Sequence, residues 1–88
     1  MDNYSISIKN SAKTDLKKIK QSQLKTQFLK IVDTLKEDPY FPSQSFEKLQ
    51  PKHLGRYSRR INHQHRVVYA VDEDDKEVFI LSAWSHYE

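Results

Sequence analysis

The apolar residues of this chain change their period once, and that change limits what it can fold into. Ala12, Leu16 and Ile19 recur at helical spacing. After a polar break at Gln21-Ser22, Leu24, Phe28, Ile31, Val32 and Leu35 repeat the pattern. Beyond the only glycine, Gly55, the runs 56–62, 65–72 and 77–85 are instead rich in aromatic and β-branched residues, as strands are. Near the start, residues 4–9 alternate with Tyr4, Ile6 and Ile8 on one side, which predicts a strand, and Asn10-Ser11 offers a helix cap after it. From residue 37 to 55 periodicity is lost, and Pro39, Pro42 and Pro51 prevent a long helix or a central strand there. This stretch reads as a connecting loop with one short extended piece at 45–49. The short charged link Asp72-Glu73-Asp74-Asp75-Lys76 closes an antiparallel hairpin. The expected order is a strand, two helices, then three or four strands. Such segregation predicts an α+β fold: a small, mostly antiparallel sheet with two N-terminal amphipathic helices on one face and the other face free.

A chain of 88 residues fits one domain, 1–88, with no room for a second core. With 36% hydrophobic residues, five Tyr and four Phe, it is too apolar and aromatic for a disordered segment. Cysteine is absent, which rules out disulfides and thiolate metal sites and is compatible with a reducing compartment. No apolar run approaches the ~18 residues of a membrane span, and Met1-Asp2-Asn3-Tyr4 lacks a basic-then-apolar signal layout. The expectation is a cytoplasmic protein without membrane contact. A single glycine leaves no glycine-rich phosphate loop.

Charge is distributed unevenly. Residues 51–71 hold five Lys/Arg, three of the four histidines and no acid, whereas residues 72–88 hold six acids against Lys76 alone. A basic band of this kind suits a polyanion such as nucleic acid, because neutralised phosphates release counterions. A solvated charged strand pair is the plainer reading. The lysines at 13, 17, 18, 20, 25, 30 and 36 fall mostly off the apolar stripes and are expected to form wet helix surfaces.

Metal-free cleavage of RNA needs a base for the ribose 2′-OH proton, an acid for the leaving 5′-oxygen, and cations around the phosphate. His86 is the leading acid candidate, since an imidazole titrates near ~6.5, although a His in that place can equally be a plain surface residue. Glu47 is the one carboxylate between Asp38 and Asp72, so it can serve as the base or simply pair with an arginine. Arg59 and Arg60 must point to opposite faces of a strand, so at most one of them shares a site with a given neighbour. His53, His63 and His65 make a poor ligand set without Cys or clustered acids; neither a metal nor a cofactor is expected.

Three segments together carry a resemblance: Phe46-Glu47-Lys48-Leu49; Tyr57-Ser58-Arg59-Arg60-Ile61 leading into His65-Arg66-Val67-Val68-Tyr69-Ala70-Val71; and His86-Tyr87. In their order and separation the chain resembles, from about 46 to 87, the YoeB branch of the RelE-type bacterial toxins. The resemblance implies a RelE-like, microbial-RNase-like fold and cleavage of mRNA in the ribosomal A site by 2′-OH attack, leaving a cyclic phosphate or 3′-phosphate. It further implies Glu47 as general base, Arg66 as transition-state phosphate clamp, His86 as general acid and Tyr87 as a substrate-orienting or stacking group. Arg60 becomes a second phosphate contact, with Tyr57, Arg59 and His65 as further RNA contacts. The implied partners are the ribosome, mRNA and a YefM-like antitoxin whose disordered segment folds over the basic surface. DNA would be met only through the antitoxin complex, and a homodimer is left open. Two departures stand out: Gln64 replaces an acid that relatives often carry before His-Arg, and Glu88 adds a carboxylate after His86-Tyr87. Two other readings remain. A non-enzymatic, ParE-like toxin binding a protein target such as a topoisomerase needs the strands but not Glu47, Arg66 and His86. A simple RNA-binding module would bind in a salt-sensitive way without cleaving.

Overall fold

The structure, a computed structural model, describes residues 3–84. Strand β1 (Ser5–Ile8) leads into helix α1 (Asn10–Lys20) and helix α2 (Lys25–Glu37). After a long loop come β2 (Glu47–Lys48), a 3-10 turn at Lys52–Leu54, β3 (Arg56–Arg60), β4 (Arg66–Asp72) and β5 (Glu77–Ser82). The five strands form one sheet in the order β1-β5-β4-β3-β2. All neighbouring pairs are antiparallel except β1 with β5, which run parallel with Ile6 opposite Val78. The α+β class and the order expected from periodicity both hold, including the extended piece in the loop.

The helices are amphipathic as their spacing requires. Ala12, Leu16 and Ile19 of α1 and Phe28, Ile31 and Leu35 of α2 are buried against Val67, Tyr69, Val78 and Ile80 of the sheet. Lysines 13, 17, 18, 20, 25 and 30 are exposed, and Lys36 is half-buried. One local expectation fails: Asn10 does not cap α1. Lys9 occupies the cap position without a side-chain bond. Asn10 is already helical, and the Ser11 hydroxyl donates to the Leu81 carbonyl at 2.7 Å, so it ties the helix start to β5. Gly55 ends the 3-10 turn with φ of 64°, a left-handed conformation that costs glycine least.

The segment between α2 and β2 has no regular structure, and the side chain that makes most contacts to it is Arg59. Arg59 is 0% exposed. Its Nη1 donates to the Ser43 carbonyl at 2.8 Å and to Gln44 Oε1 at 3.4 Å. Its Nη2 donates to the Pro39 carbonyl at 2.9 Å, and its Nε to the Tyr69 hydroxyl at 3.0 Å. The guanidinium also lies 4.9 Å from the centre of the Phe46 ring. Burial pushes the Tyr69 phenol up to about 12 despite the lowering effect of Arg59. Tyr69 therefore stays neutral and donates to Pro39 while accepting from Arg59.

At the opposite end of the sheet, the β4–β5 hairpin is closed by Asp72, whose Oδ1 accepts from the backbone of Asp74 at 3.0 Å and Asp75 at 3.2 Å. Glu73 in this turn accepts from the hydroxyls of Tyr40 and Tyr4 and pairs with Lys76 at 2.9 Å. It thereby joins the hairpin to β1 and to the loop after α2. The Tyr40 hydroxyl holds the Glu73 carboxyl below its ordinary value, with Lys76 and Tyr4 adding to the effect.

Two outcomes follow for stability. Arg59→Met removes a guanidinium whose bonds are each worth ~1.5–3 kcal/mol. Urea unfolding should show a loss of roughly 3 kcal/mol or more, and an unchanged midpoint would contradict the anchoring role. Because the carboxyl of Glu73 is depressed in the folded chain, its contribution is present above the ordinary value of 4.5 and is lost as pH falls through the lower folded value. Thermal melts of Glu73→Gln should therefore lose less than those of the wild type as pH falls below that ordinary value.

Candidate active site

The sheet face turned away from the helices is set by strand alternation. Register pairs Glu47 on β2 with Ser58 on β3, Ser58 with Val68 on β4, and Arg60 with Arg66. Paired residues project to the same side, so Glu47, Ser58, Arg60, Arg66 and Val68 share that face. Arg66 Nη1 meets Glu47 Oε1 at 3.2 Å; their side chains are 19% and 58% exposed, the cation sheltered and the carboxylate open to solvent. Since these two residues stand on strands either side of β3, their ion pair must cross β3 where Ser58 and Arg60 project. Arg60 is exposed, and among the described residues its guanidinium makes no hydrogen bond or ion pair. The result is a carboxylate and two guanidiniums on three adjacent strands, with the Arg60 charge available to an incoming anion.

The residues expected from sequence therefore divide. Glu47, Arg60 and Arg66 are brought together. Arg59 and Tyr57 are corrections: both project to the helix side of β3, and neither can join Glu47 and Arg66. Arg59 is the internal anchor described above. Tyr57 sits in an aromatic stack, 5.6 Å from the Phe46 ring centre, 5.8 Å from Tyr69 and 5.4 Å from Tyr40.

His65 is also spent on structure. Its ring stacks on Trp84 with centres 4.4 Å apart, and its Nδ1 bonds the Trp84 carbonyl. The turn before it is built by Asn62, whose Oδ1 accepts from the backbone of Gln64 and His65, both at 2.8 Å. His65 thus ties Trp84 to the start of β4, directly beside Arg66. His86 and Tyr87 lie outside the described residues, and so does Glu88. Gln64 is exposed in the turn.

Ser58 has no role in the sequence reading, although it stands inside the Tyr57–Ile61 motif. Nothing in a lone strand serine marks it. Its position under the Glu47–Arg66 pair appears only once three strands are in register.

In chemical terms, the face offers a base candidate already facing a guanidinium. Glu47 and Arg66 neutralise one another at rest, and a phosphodiester arriving at Arg66 and Arg60 would compete for the guanidinium and release the carboxylate.

Residues 8–87 match the family described as YoeB-like toxin of bacterial type II toxin-antitoxin system. No curated protein matches the sequence. Among solved structures, the YoeB dimer from Staphylococcus aureus is 31% identical with a TM-score of 0.81, covering 97% of this chain and 99% of that one. The YoeB-YefM complex from the same organism is also 31% identical, with a TM-score of 0.79 and coverage of 96% and 98%. A YoeB/ParE toxin from Agrobacterium tumefaciens, 21% identical with a TM-score of 0.84, covers 94% of this chain and 99% of its own and shares the fold. With its fold and nearly its whole length in agreement, the chain belongs to the YoeB-like toxins of bacterial type II toxin-antitoxin systems.

Proposed function

We propose that this toxin is a metal-independent mRNA endoribonuclease that cuts in the ribosomal A site and so inhibits translation in the cytoplasm. The observation that carries the reading is the Glu47–Arg66 ion pair with Arg60 beside it on one sheet face. A carboxylate set against two phosphate-binding cations is what 2′-OH attack on a phosphodiester requires, and a protein-binding toxin would have no need of it.

In this mechanism Arg66 and Arg60 bind the scissile phosphate, and Glu47, freed from Arg66, takes the 2′-OH proton. The 2′-oxygen attacks phosphorus, and the bond to the 5′-oxygen breaks. His86 gives that oxygen a proton. The products are a 5′-hydroxyl end and a cyclic phosphate that can open to a 3′-phosphate, with Tyr87 orienting or stacking on the substrate. The His86-Tyr87 pair, which lies within the residues matched by the toxin family, supports this role for His86. No step calls for a metal or cofactor.

The same reading gives the toxin a YefM-like antitoxin as partner. It meets DNA only through that complex, and self-association as a homodimer is compatible with it. The solved relatives include a complex of YoeB with YefM and a YoeB dimer.

Mapping of mRNA 5′ ends after incubation with programmed bacterial ribosomes tests the activity. The wild type should cut ribosome-bound mRNA with and without EDTA, and His86→Gln should lose ~100-fold or more of the rate while staying folded. Intact mRNA with a folded wild type sinks the ribonuclease reading; a fully active His86→Gln sinks the acid assignment. Arg66→Ala should weaken RNA binding and lower turnover by ~100-fold, since it removes a cation from both ground and transition states.

A further inference from the structure

Ser58 is 1% exposed, and its hydroxyl has no hydrogen-bond partner. No other buried side-chain nitrogen or oxygen among the described residues is left unpaired. Even in the buried guanidinium of Arg59 each nitrogen has a partner. A buried hydroxyl without a partner is destabilising, and alanine would fill the same strand position without that penalty. The hydroxyl is therefore explained by a state other than the resting one.

The register identifies that state. Ser58 stands directly opposite Glu47, and the Glu47–Arg66 pair crosses β3 on the Ser58 side. Residues opposite one another on adjacent strands have Cβ atoms ~4.5–5.5 Å apart, close enough for a serine hydroxyl to reach the carboxylate of a flexible glutamate. While Arg66 occupies that carboxylate, the hydroxyl is idle. Once a phosphodiester takes the guanidinium and covers this face, the carboxylate loses that donor, and the hydroxyl is placed to replace it.

We propose that Ser58 is a positioning residue for Glu47: its hydroxyl donates to the carboxylate when RNA phosphate has taken Arg66, leaving the second oxygen directed at the 2′-OH. The inference rests on the reading of Glu47 as the base. The serine keeps its proton throughout and forms no covalent bond. The Glu47–Arg66 contact is thus one of two alternative pairings of the same carboxylate, and phosphate binding is what exchanges them.

The test compares Ser58→Ala and Ser58→Thr with the wild type in ribosome-dependent cleavage across pH and in thermal melts. Ser58→Ala should melt at or above the wild-type temperature. Its kcat should fall roughly tenfold, the rate equivalent of one hydrogen bond to a charged group, with KM unchanged. The acidic limb of its kcat profile should move to higher pH, because a carboxylate that loses a donor is protonated more readily. Ser58→Thr keeps the hydroxyl and should restore both. Wild-type kcat and pH profile in Ser58→Ala overturn the proposal. So does a rise in KM alone, which would put the hydroxyl on the phosphate, and so does a lowered melting temperature with unaltered turnover. A readout independent of cleavage is carbon-13 titration of the Glu47 carboxyl in Arg66→Ala protein, with and without Ser58→Ala. Removal of the hydroxyl should move that titration to higher pH. No movement overturns the proposal, whereas movement in a protein that cuts no RNA leaves the pairing standing and rejects only the ribonuclease reading.

Discussion

The guanidinium of Arg59 holds together the part of the chain that cannot hold itself. Between α2 and β2 the prolines exclude regular structure, and Gln44 and Ser45 both adopt φ of 55°. Backbone bonds alone would leave this segment poorly defined. Arg59 reaches three of its residues with donors spread in a plane, and Phe46 covers the guanidinium. No carboxylate meets this buried charge among the described residues; carbonyl dipoles, a phenol and an aromatic ring do so instead. A lysine could not reproduce this, because its ammonium is a compact charge that cannot donate in several fixed directions at once. Glu47 follows Phe46 immediately and sits in a strand of only two residues. Its position is therefore inherited from the anchored loop more than from its own ladder.

Adjacent arginines on β3 serve opposite purposes because a strand turns successive side chains to opposite faces. Arg59 looks inward and fixes the loop that delivers Glu47, while Arg60 looks outward beside Arg66. The same rule sends Phe46, Tyr57 and Tyr69 into the interior stack and leaves Glu47, Ser58 and Arg66 on the other side. Interior anchoring and candidate chemistry are thus the two sides of the same three strands. A shift of register by one residue would exchange them completely.

The resting site is self-neutralised. With Glu47 paired to Arg66, neither the carboxylate nor the guanidinium is fully available at rest. A site of this design favours polyanions that also reach Arg60, since a single anion at Arg66 competes with an intramolecular carboxylate already in place. On the other side of the sheet, His65 holds Trp84 by ring stacking and a bond to its carbonyl.

Periodicity in the sequence alone determined the order of elements and the α+β class, because helical and strand spacing are local properties of the chain. It also determined that Arg59 and Arg60 part company, and that the hairpin lies at residues 72–76. Local pattern could not say which face of β3 would be covered. Tyr57 with Arg59, and Arg56 with Ser58 and Arg60, both carry cations, and only the packing of the loop against one side separates them. The motif placed Tyr57, Arg59 and His65 among RNA contacts, and tertiary structure set Tyr57 and Arg59 on the helix side of β3 and stacked His65 on Trp84. It likewise decided the parallel pairing of β1 with β5 and turned Ser11 from a cap into a tie to Leu81. The unpaired hydroxyl of Ser58 beneath the ion pair arises in the same way, since each of these depends on residues distant in sequence meeting across the sheet.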